Sequence, residues 1–128
     1  MQLITAFVAS VLATSANAVT YSGMVYFADA GDCPSATAST PVLNFDYSYD
    51  NLCLSVADNS DWDSDDYGAI MQASVTGANN IGPKKFGGCP TSECDKDCTT
   101  VDIEGDNGNS LTAECVQVKG APYVYIGN

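Results

Sequence analysis

Five aspartates crowd one nine-residue segment of the chain, around its only tryptophan. They are Asp58, Asp61, Asp63, Asp65 and Asp66, and the tryptophan is Trp62. A glycosidase needs two carboxylates about 5–9.5 Å apart, with different affinities for the proton. Asp61 and Asp65 flank Trp62 and are the candidate pair for this chemistry. The alternative is a solvated acidic loop, because turns favour aspartate whether or not they carry a function.

The same segment has part of a calcium-binding pattern. Calcium takes six to eight oxygen ligands from a flexible loop. Asp61, Asp63 and Asp65 stand at the first, third and fifth positions of an EF-hand loop, but Asp66 replaces the glycine at position six. Gln72 stands where the glutamate at position twelve is required. The segment is therefore not an EF-hand, and these three aspartates are weak calcium candidates.

Residue types that are missing exclude several classes of enzyme. The chain has no histidine and no arginine. Without imidazole there is no Ser-His-Asp triad, no Cys-His pair and no histidine-ligated zinc site. Sixteen acidic residues against four lysines give a net charge of −12, which repels phosphate backbones and anionic membranes. We assign no catalytic residue and no cofactor, and we expect no nucleic-acid partner and no membrane insertion.

The first 18 residues have the features of a signal peptide. They contain no charged side chain, and Leu3–Ala13 is mostly apolar. Ala16-Asn17-Ala18 supplies the small-x-small pattern that signal peptidase cleaves. The apolar run is shorter than the roughly 20 residues that span a bilayer. We therefore predict a signal peptide over residues 1–18 and a single extracellular domain over residues 19–128.

The predicted domain contains an even number of cysteines. They are Cys33, Cys53, Cys89, Cys94, Cys98 and Cys115. Six cysteines in a small exported chain predict three disulfides. A zinc cluster at Cys89, Cys94 and Cys98 is the alternative, and export to an oxidising compartment together with the lack of histidine argues against it.

Alternation of apolar and polar residues predicts a mostly β domain of about eight short antiparallel strands. The alternation is clearest over Val42–Tyr49, and it resumes over Leu52–Val56 after the turn pair Asp50-Asn51, so we expect these two segments to form a hairpin. Tyr67–Thr76 suits a strand better than a helix. The spacing of the strands predicts a sandwich or a barrel rather than a parallel sheet. The seven tyrosines suit either a core or a binding face.

A faint internal repeat suggests two halves of four strands each. Cys33-Pro34 is echoed by Cys89-Pro90, and Cys53-Leu54-Ser55-Val56 is echoed by Cys98-Thr99-Thr100-Val101. The repeat suggests the pairs Cys33–Cys53, Cys89–Cys98 and Cys94–Cys115. Fifteen pairings of six cysteines are possible, and the others remain open.

This layout resembles small fungal secreted cysteine-rich proteins, and most of all those with a γ-crystallin-like, two-motif Greek-key fold, which include some yeast killer toxins. The residues that carry the resemblance are Val25-Tyr26-Phe27, Asp29, Cys33, Cys53 and Val56 in the first half, and Phe86, Cys89, Cys98 and Val101 in the second. The resemblance implies a disulfide-stabilised Greek-key sandwich, a fungal source and a crystallin-like calcium motif. Asp106-Asn107-Gly108-Asn109-Ser110 matches that motif until Leu111 replaces its final serine, which makes Asp106 and Asn107 two further weak calcium candidates.

Three functions are compatible with these features. The first is a secreted, non-enzymatic effector or toxin-like protein that binds a host or competitor protein, or a cell-wall glycan, outside the producing cell. The second is a small acidic glycan hydrolase that uses paired aspartates. The third is a calcium-binding, crystallin-like structural protein. The convergence or divergence of the aspartates around Trp62 distinguishes among them.

Overall fold

A computed structural model describes residues 20–36, 40–48, 50–76, 82–105 and 110–128. The predicted signal peptide, residues 1–18, lies outside the described residues. Within the described ranges the chain forms eight strands and one helical turn, which confirms the prediction of a mostly β domain with eight antiparallel strands. The elements are β1 (Thr20–Ala28), β2 (Val42–Tyr47), β3 (Leu52–Ser55), α1 (Val56–Asn59), β4 (Tyr67–Thr76), β5 (Lys85–Cys89), β6 (Thr99–Gly105), β7 (Ser110–Val118) and β8 (Tyr123–Gly127).

The order of the strands in the sheet contains the predicted two-fold repeat. It runs β2-β1-β4-β7-β6-β5-β8-β3. Adding four to each number in β2-β1-β4 gives β6-β5-β8, so the two halves of the chain have the same strand arrangement. The third strand of each half, β3 or β7, lies beside the fourth strand of the other half. A short pairing of β6 with β7 joins the two four-stranded groups into a nearly closed barrel.

The two halves exchange their third strands, so the hairpin predicted for β2 and β3 is wrong. β2 and β3 follow each other in sequence, but they do not pair: β2 pairs with β1, and β3 pairs with β8 of the second half. Alternation places the apolar faces of both strands towards the core, but it does not specify a neighbour. Val56, which was expected to end β3, instead begins α1, because the Ser55 side chain accepts a hydrogen bond from the Asp58 backbone N–H and caps the helical turn.

One core lies between the two four-stranded groups. Its largest fully buried side chains include Phe27 and Met71 from the first half and Phe86, Val124 and Ile126 from the second. Three tyrosines also belong to the core, each 1% exposed: Tyr21, Tyr47 and Tyr67. The structure therefore favours the core interpretation of these tyrosines, while Tyr123 and Tyr125 are half-buried. Tyr49 lies outside the described residues.

A bulge in β7 interrupts its alternation. Ala69 of β4 lies opposite Val116, but Met71 lies opposite Ala113, so β7 has one extra residue in this stretch. Leu111 and Ala113 point into the core before the bulge, and Val116 and Val118 do so after it. An extra residue shifts the period-two pattern by one position. The bulge therefore leaves Cys115 half-buried instead of pointing into the core.

All six cysteines form disulfides, and their pairing corrects the pairs suggested by the sequence repeat. The bonds are Cys33–Cys115, Cys53–Cys94 and Cys89–Cys98. Only Cys89–Cys98 was predicted correctly; Cys33–Cys53 and Cys94–Cys115 were wrong. The exchanged strands explain the error. Cys53 lies on β3, beside the second half, and Cys115 lies on β7, beside the first, so two of the three bonds join the halves.

Candidate functional site

The aspartate-rich segment forms the connection between α1 and β4. Its first part is ordered by short-range hydrogen bonds: the Ser60 hydroxyl donates to the Val56 carbonyl oxygen at 2.7 Å, and the Trp62 backbone N–H donates to the Ser60 hydroxyl oxygen at 3.2 Å. The Asp66 backbone N–H donates to the Ser64 hydroxyl oxygen at 3.1 Å. Serine side chains that bind nearby backbone groups in this way stabilise turns. The connection is a sequence of small turns rather than a single wide loop.

The end of the connection is attached to the turn between β7 and β8. The Ala121 backbone N–H donates to the Asp65 carbonyl oxygen at 2.8 Å, and the Gly120 backbone N–H donates to the Asp66 carboxylate at 2.8 Å. The Tyr67 hydroxyl donates to the Ala121 carbonyl oxygen, also at 2.8 Å. Asp66 therefore has a structural role that its sequence context did not reveal.

Trp62 holds the middle of the connection against the core. Its indole ring stacks on Phe27, with ring centroids 6.0 Å apart and planes 15° apart. Phe27 in turn makes an edge contact with Tyr67, with centroids 5.1 Å apart. Trp62 is half-buried, and its Nε1 atom is fully buried with no hydrogen-bond partner among the described residues. An unpartnered buried donor is uncommon in proteins and calls for an explanation.

A groove of about 460 Å³ lies beside Trp62. One wall is the connection itself, with Trp62, Asp63 and Asp65; the others come from Ser55 at the end of β3 and from Pro122 and Tyr123 at the start of β8. Backbone hydrogen bonds hold these walls together, since the Val56 N–H donates to the Pro122 carbonyl oxygen at 2.9 Å. Ser55 and Tyr123 are paired residues of β3 and β8. The groove combines aromatic, hydroxyl and carboxylate groups on a fixed frame.

The structure separates the aspartates that the sequence grouped. Asp63 and Asp65 line the groove, whereas Asp61 lies outside it and Asp58 is exposed on α1. The pair suggested for hydrolysis, Asp61 and Asp65, is therefore not the pair that the groove brings together. Asp63 and Asp65 are both exposed, whereas the general acid of a glycosidase usually sits in an apolar pocket.

The calcium candidates are not gathered into one site in the part of the chain that the structure describes. Asp61, Asp63 and Asp65 are exposed side chains of a single loop. Asp106 and Asn107 lie outside the described residues. Among the described residues, no group of three or more histidine, cysteine, aspartate or glutamate side chains is placed to hold a metal ion.

Among the described residues, no lysine forms an ion pair with the carboxylates of the groove. Over the described ranges, the one ion pair joins Lys85 to Asp102, on the strands β5 and β6. Lys84 and Lys85 line a different groove, of about 630 Å³, together with Glu104 and Glu114. That second groove contains both signs of charge, whereas the charged walls of the Trp62 groove are acidic.

Two residues of the groove could not be recognised in the sequence. Pro122 and Tyr123 belong to the end of the chain, and they reach Trp62 only because β3 pairs with β8.

Comparison with protein-family models, with curated proteins and with solved structures found no match for this chain. No helix of the described residues has the length and apolar character needed to cross a membrane.

Proposed function

We propose that this chain is a secreted, non-enzymatic binding protein that acts outside the producing cell, in the manner of an effector or toxin. The observation that carries the proposal is the disulfide framework: every cysteine is paired, and two of the three bonds join the two halves of the domain. Disulfides persist in oxidising compartments and are rare where thiols are kept reduced. The predicted signal peptide agrees with this location.

Binding, rather than catalysis, is supported by what the groove contains. Its walls carry carboxylates, hydroxyls and aromatic rings, but the chain has no histidine to act as a base near neutral pH. Its two carboxylates are exposed, and the connection that carries them is anchored at both ends. A fixed surface of this kind binds a partner without a large ordering cost.

The repeated strand order supports the resemblance to two-motif, γ-crystallin-like secreted proteins. A fold alone does not determine an activity, because one fold hosts many functions. The resemblance therefore supports the secreted, fungal context of the proposal, and the groove supports the binding role.

A partner-capture experiment tests the proposal. The oxidised protein without residues 1–18 is immobilised and incubated with extracellular fluid from candidate hosts and competitors. The control is the same chain after reduction and alkylation, which keeps the composition and charge but removes the fold. We expect a partner that the folded protein retains and the alkylated chain does not. Recovery of the same proteins by both chains, or of none, contradicts the proposal.

The hydrolase hypothesis is tested separately. Folded protein is incubated with cell-wall polysaccharides, and the release of reducing sugar is measured with the Asp63→Asn/Asp65→Asn double variant as control. We expect no release from either protein. Release by the wild type that the double variant loses would show that the groove is an active site.

A further inference from the structure

Contacts within the protein itself fix the walls of the groove beside Trp62, so the groove is preformed. The Ala121 N–H to Asp65 carbonyl bond and the Gly120 N–H to Asp66 carboxylate bond attach the connection to the β7–β8 turn. The Val56 N–H to Pro122 carbonyl bond attaches the opposite wall. The stack of the Trp62 indole on the buried Phe27 ring fixes its position against the core. A ligand that enters this groove therefore does not have to order its walls.

The negative charge of the groove favours a positively charged ligand. Asp63 and Asp65 lie two positions apart and face the same groove, and no lysine of the chain lines it. The chain as a whole carries a net charge of −12, so the surrounding field adds to the local one instead of offsetting it. A cation that enters the groove relieves the repulsion between these carboxylates.

The aromatic walls narrow the choice of cation. A lysine ammonium or an arginine guanidinium is attracted to the face of tryptophan or tyrosine, and the apolar stem of either side chain packs on rings and on proline. Trp62, Tyr123 and Pro122 supply these surfaces in the same groove as the carboxylates. A divalent metal ion would use only the oxygens. A neutral glycan would leave the two carboxylates without a counter-charge.

The polar walls of the groove favour a peptide over a free cation. The Ser55 hydroxyl lines the groove and accepts from the Asp58 backbone N–H, so its own proton is available to donate. A peptide segment brings backbone carbonyl oxygens together with its basic side chains, so it can accept from this hydroxyl while a cation meets Asp63 and Asp65. We infer that the Trp62 groove binds a lysine- or arginine-bearing segment of a partner protein. This inference rests on the proposed binding function and names the chemistry of the partner.

The single tryptophan makes the site observable. The probe is a capped peptide of four lysines, titrated into the protein in EDTA while Trp62 fluorescence and the indole N–H resonance are recorded. We expect saturable changes in both signals. The same peptide with every side-chain amine acetylated has the same length and no charge, and we expect no saturable response to it. A saturable response to a neutral chitin or cellulose hexasaccharide, without one to the lysine peptide, would overturn the inference in favour of a glycan.

Matched variants separate the groove from the general negative charge. The Asp63→Asn/Asp65→Asn variant and the Asp58→Asn/Asp61→Asn variant remove the same charge from the same segment, but only the first pair lines the groove. Each exposed contact changes affinity by up to about fivefold, and the first variant removes two, so we expect it to weaken peptide binding by roughly five- to 25-fold. We expect the second to weaken it by less than about threefold. Equal losses would show that binding is non-specific and would overturn the inference.

Failure of the inference can be told apart from failure of the proposed function. A captured partner that the Asp63→Asn/Asp65→Asn variant still binds with full affinity would leave the binding function in place and remove the groove as its site. Groove-selective binding of the lysine peptide without any captured partner would support the groove and count against the proposed role. Equal urea midpoints of the variants and the wild type establish that both comparisons concern folded protein.

Discussion

Gln117 of β7 binds the backbone of the turn that follows β1: its Nε2 donates to the Asp32 carbonyl oxygen at 2.9 Å, across 85 positions of sequence. Its Oε1 accepts from the Gly31 backbone N–H at 2.8 Å. The turn thus passes over β4 to reach β7, and it crosses at Gly68, where a Cβ atom would lie 1.9 Å from the Asp32 carbonyl oxygen. The bond between Cys33 and Cys115 closes the same contact.

Replacing Gln117 with alanine should lower the free energy of unfolding by about 1–2 kcal/mol. Two hydrogen bonds to backbone groups are lost, and each contributes about 0.5–1.5 kcal/mol, with the exposed position favouring the lower end. Urea unfolding measures the loss. Gln72→Ala is the matched control, because Gln72 is an exposed glutamine on the neighbouring strand β4. An equal change in the two variants would contradict the role assigned to Gln117.

Removing the Cys33–Cys115 bond should cost more stability than removing Cys89–Cys98. The two bonds span 82 and 9 positions. In the chain-entropy description, a disulfide that closes a longer loop stabilises the fold more. The Cys53–Cys94 bond shortens the effective length of the larger loop, so we expect a loss of about 4 kcal/mol without Cys33–Cys115 and about 2.5 kcal/mol without Cys89–Cys98. Paired cysteine-to-alanine variants, unfolded in urea, make the comparison. A larger loss from the short loop would show that packing of the buried Cys89, rather than chain entropy, decides the result.

Stability should fall with rising pH above about pH 10, and Tyr67 should contribute to the fall. Burial raises the pKa of the Tyr67 phenol well above its ordinary value, and the nearby charge of Asp65 raises it further. The folded state therefore keeps a proton that the unfolded state releases, so stability is complete below pH 10 and declines above it by up to about 1.4 kcal/mol per pH unit.

The Tyr67→Phe variant tests this assignment. It should be less stable at pH 7, because the buried Ala121 carbonyl oxygen loses its donor at a cost of about 1–3 kcal/mol. It should also show a shallower decline between pH 10 and pH 12. Urea midpoints measured across this range decide the point, and parallel curves for the variant and the wild type would exclude Tyr67 as a contributor.

Replacing Phe27 with leucine should make the Trp62 side chain more mobile and more exposed to solvent. Phe27 is buried and stacks on the indole, so the change removes its aromatic partner and costs about 1–2 kcal/mol. We expect the fluorescence maximum of Trp62 to shift to longer wavelength. Phe45→Leu is the matched control, since Phe45 also belongs to the core, whereas the ring that stacks on Trp62 is that of Phe27. A red shift in both variants would indicate general loosening of the core.

Expression in a secreting yeast tests the predicted signal peptide. If residues 1–18 direct export, the full chain should appear in the medium with Val19 as its first residue, because cleavage follows Ala18. Mass spectrometry of the secreted protein measures this end. The matched control lacks residues 1–18 and should remain in the cell. Intact Met1 on protein found in the medium would contradict the prediction.

Much of the fold could be predicted because local patterns report it directly. Alternation predicted about eight strands and placed the segments that form β2, β3 and β4, since side chains of a strand point to opposite faces with a period of two. It also favoured strand over helix for Tyr67–Thr76, as observed. The sequence repeat predicted two halves of four strands. The bulge in β7 was not foreseen, because Glu114 and Cys115 fit a regular strand until the opposing register is known.

The sequence by itself determined the composition of this protein: strands, an even set of cysteines, a strong negative charge, and aspartates around one tryptophan. Each of these depends on neighbours in the chain or on simple counts. Only the tertiary structure decided which strands pair and which side chains come into contact. The exchange of β3 and β7 set the two disulfides that join the halves and brought Tyr123 to Trp62, and the path of the connection between α1 and β4 placed Asp63 and Asp65, but not Asp61, in the groove. Such contacts depend on which strands pair, and alternation specifies a face rather than a partner.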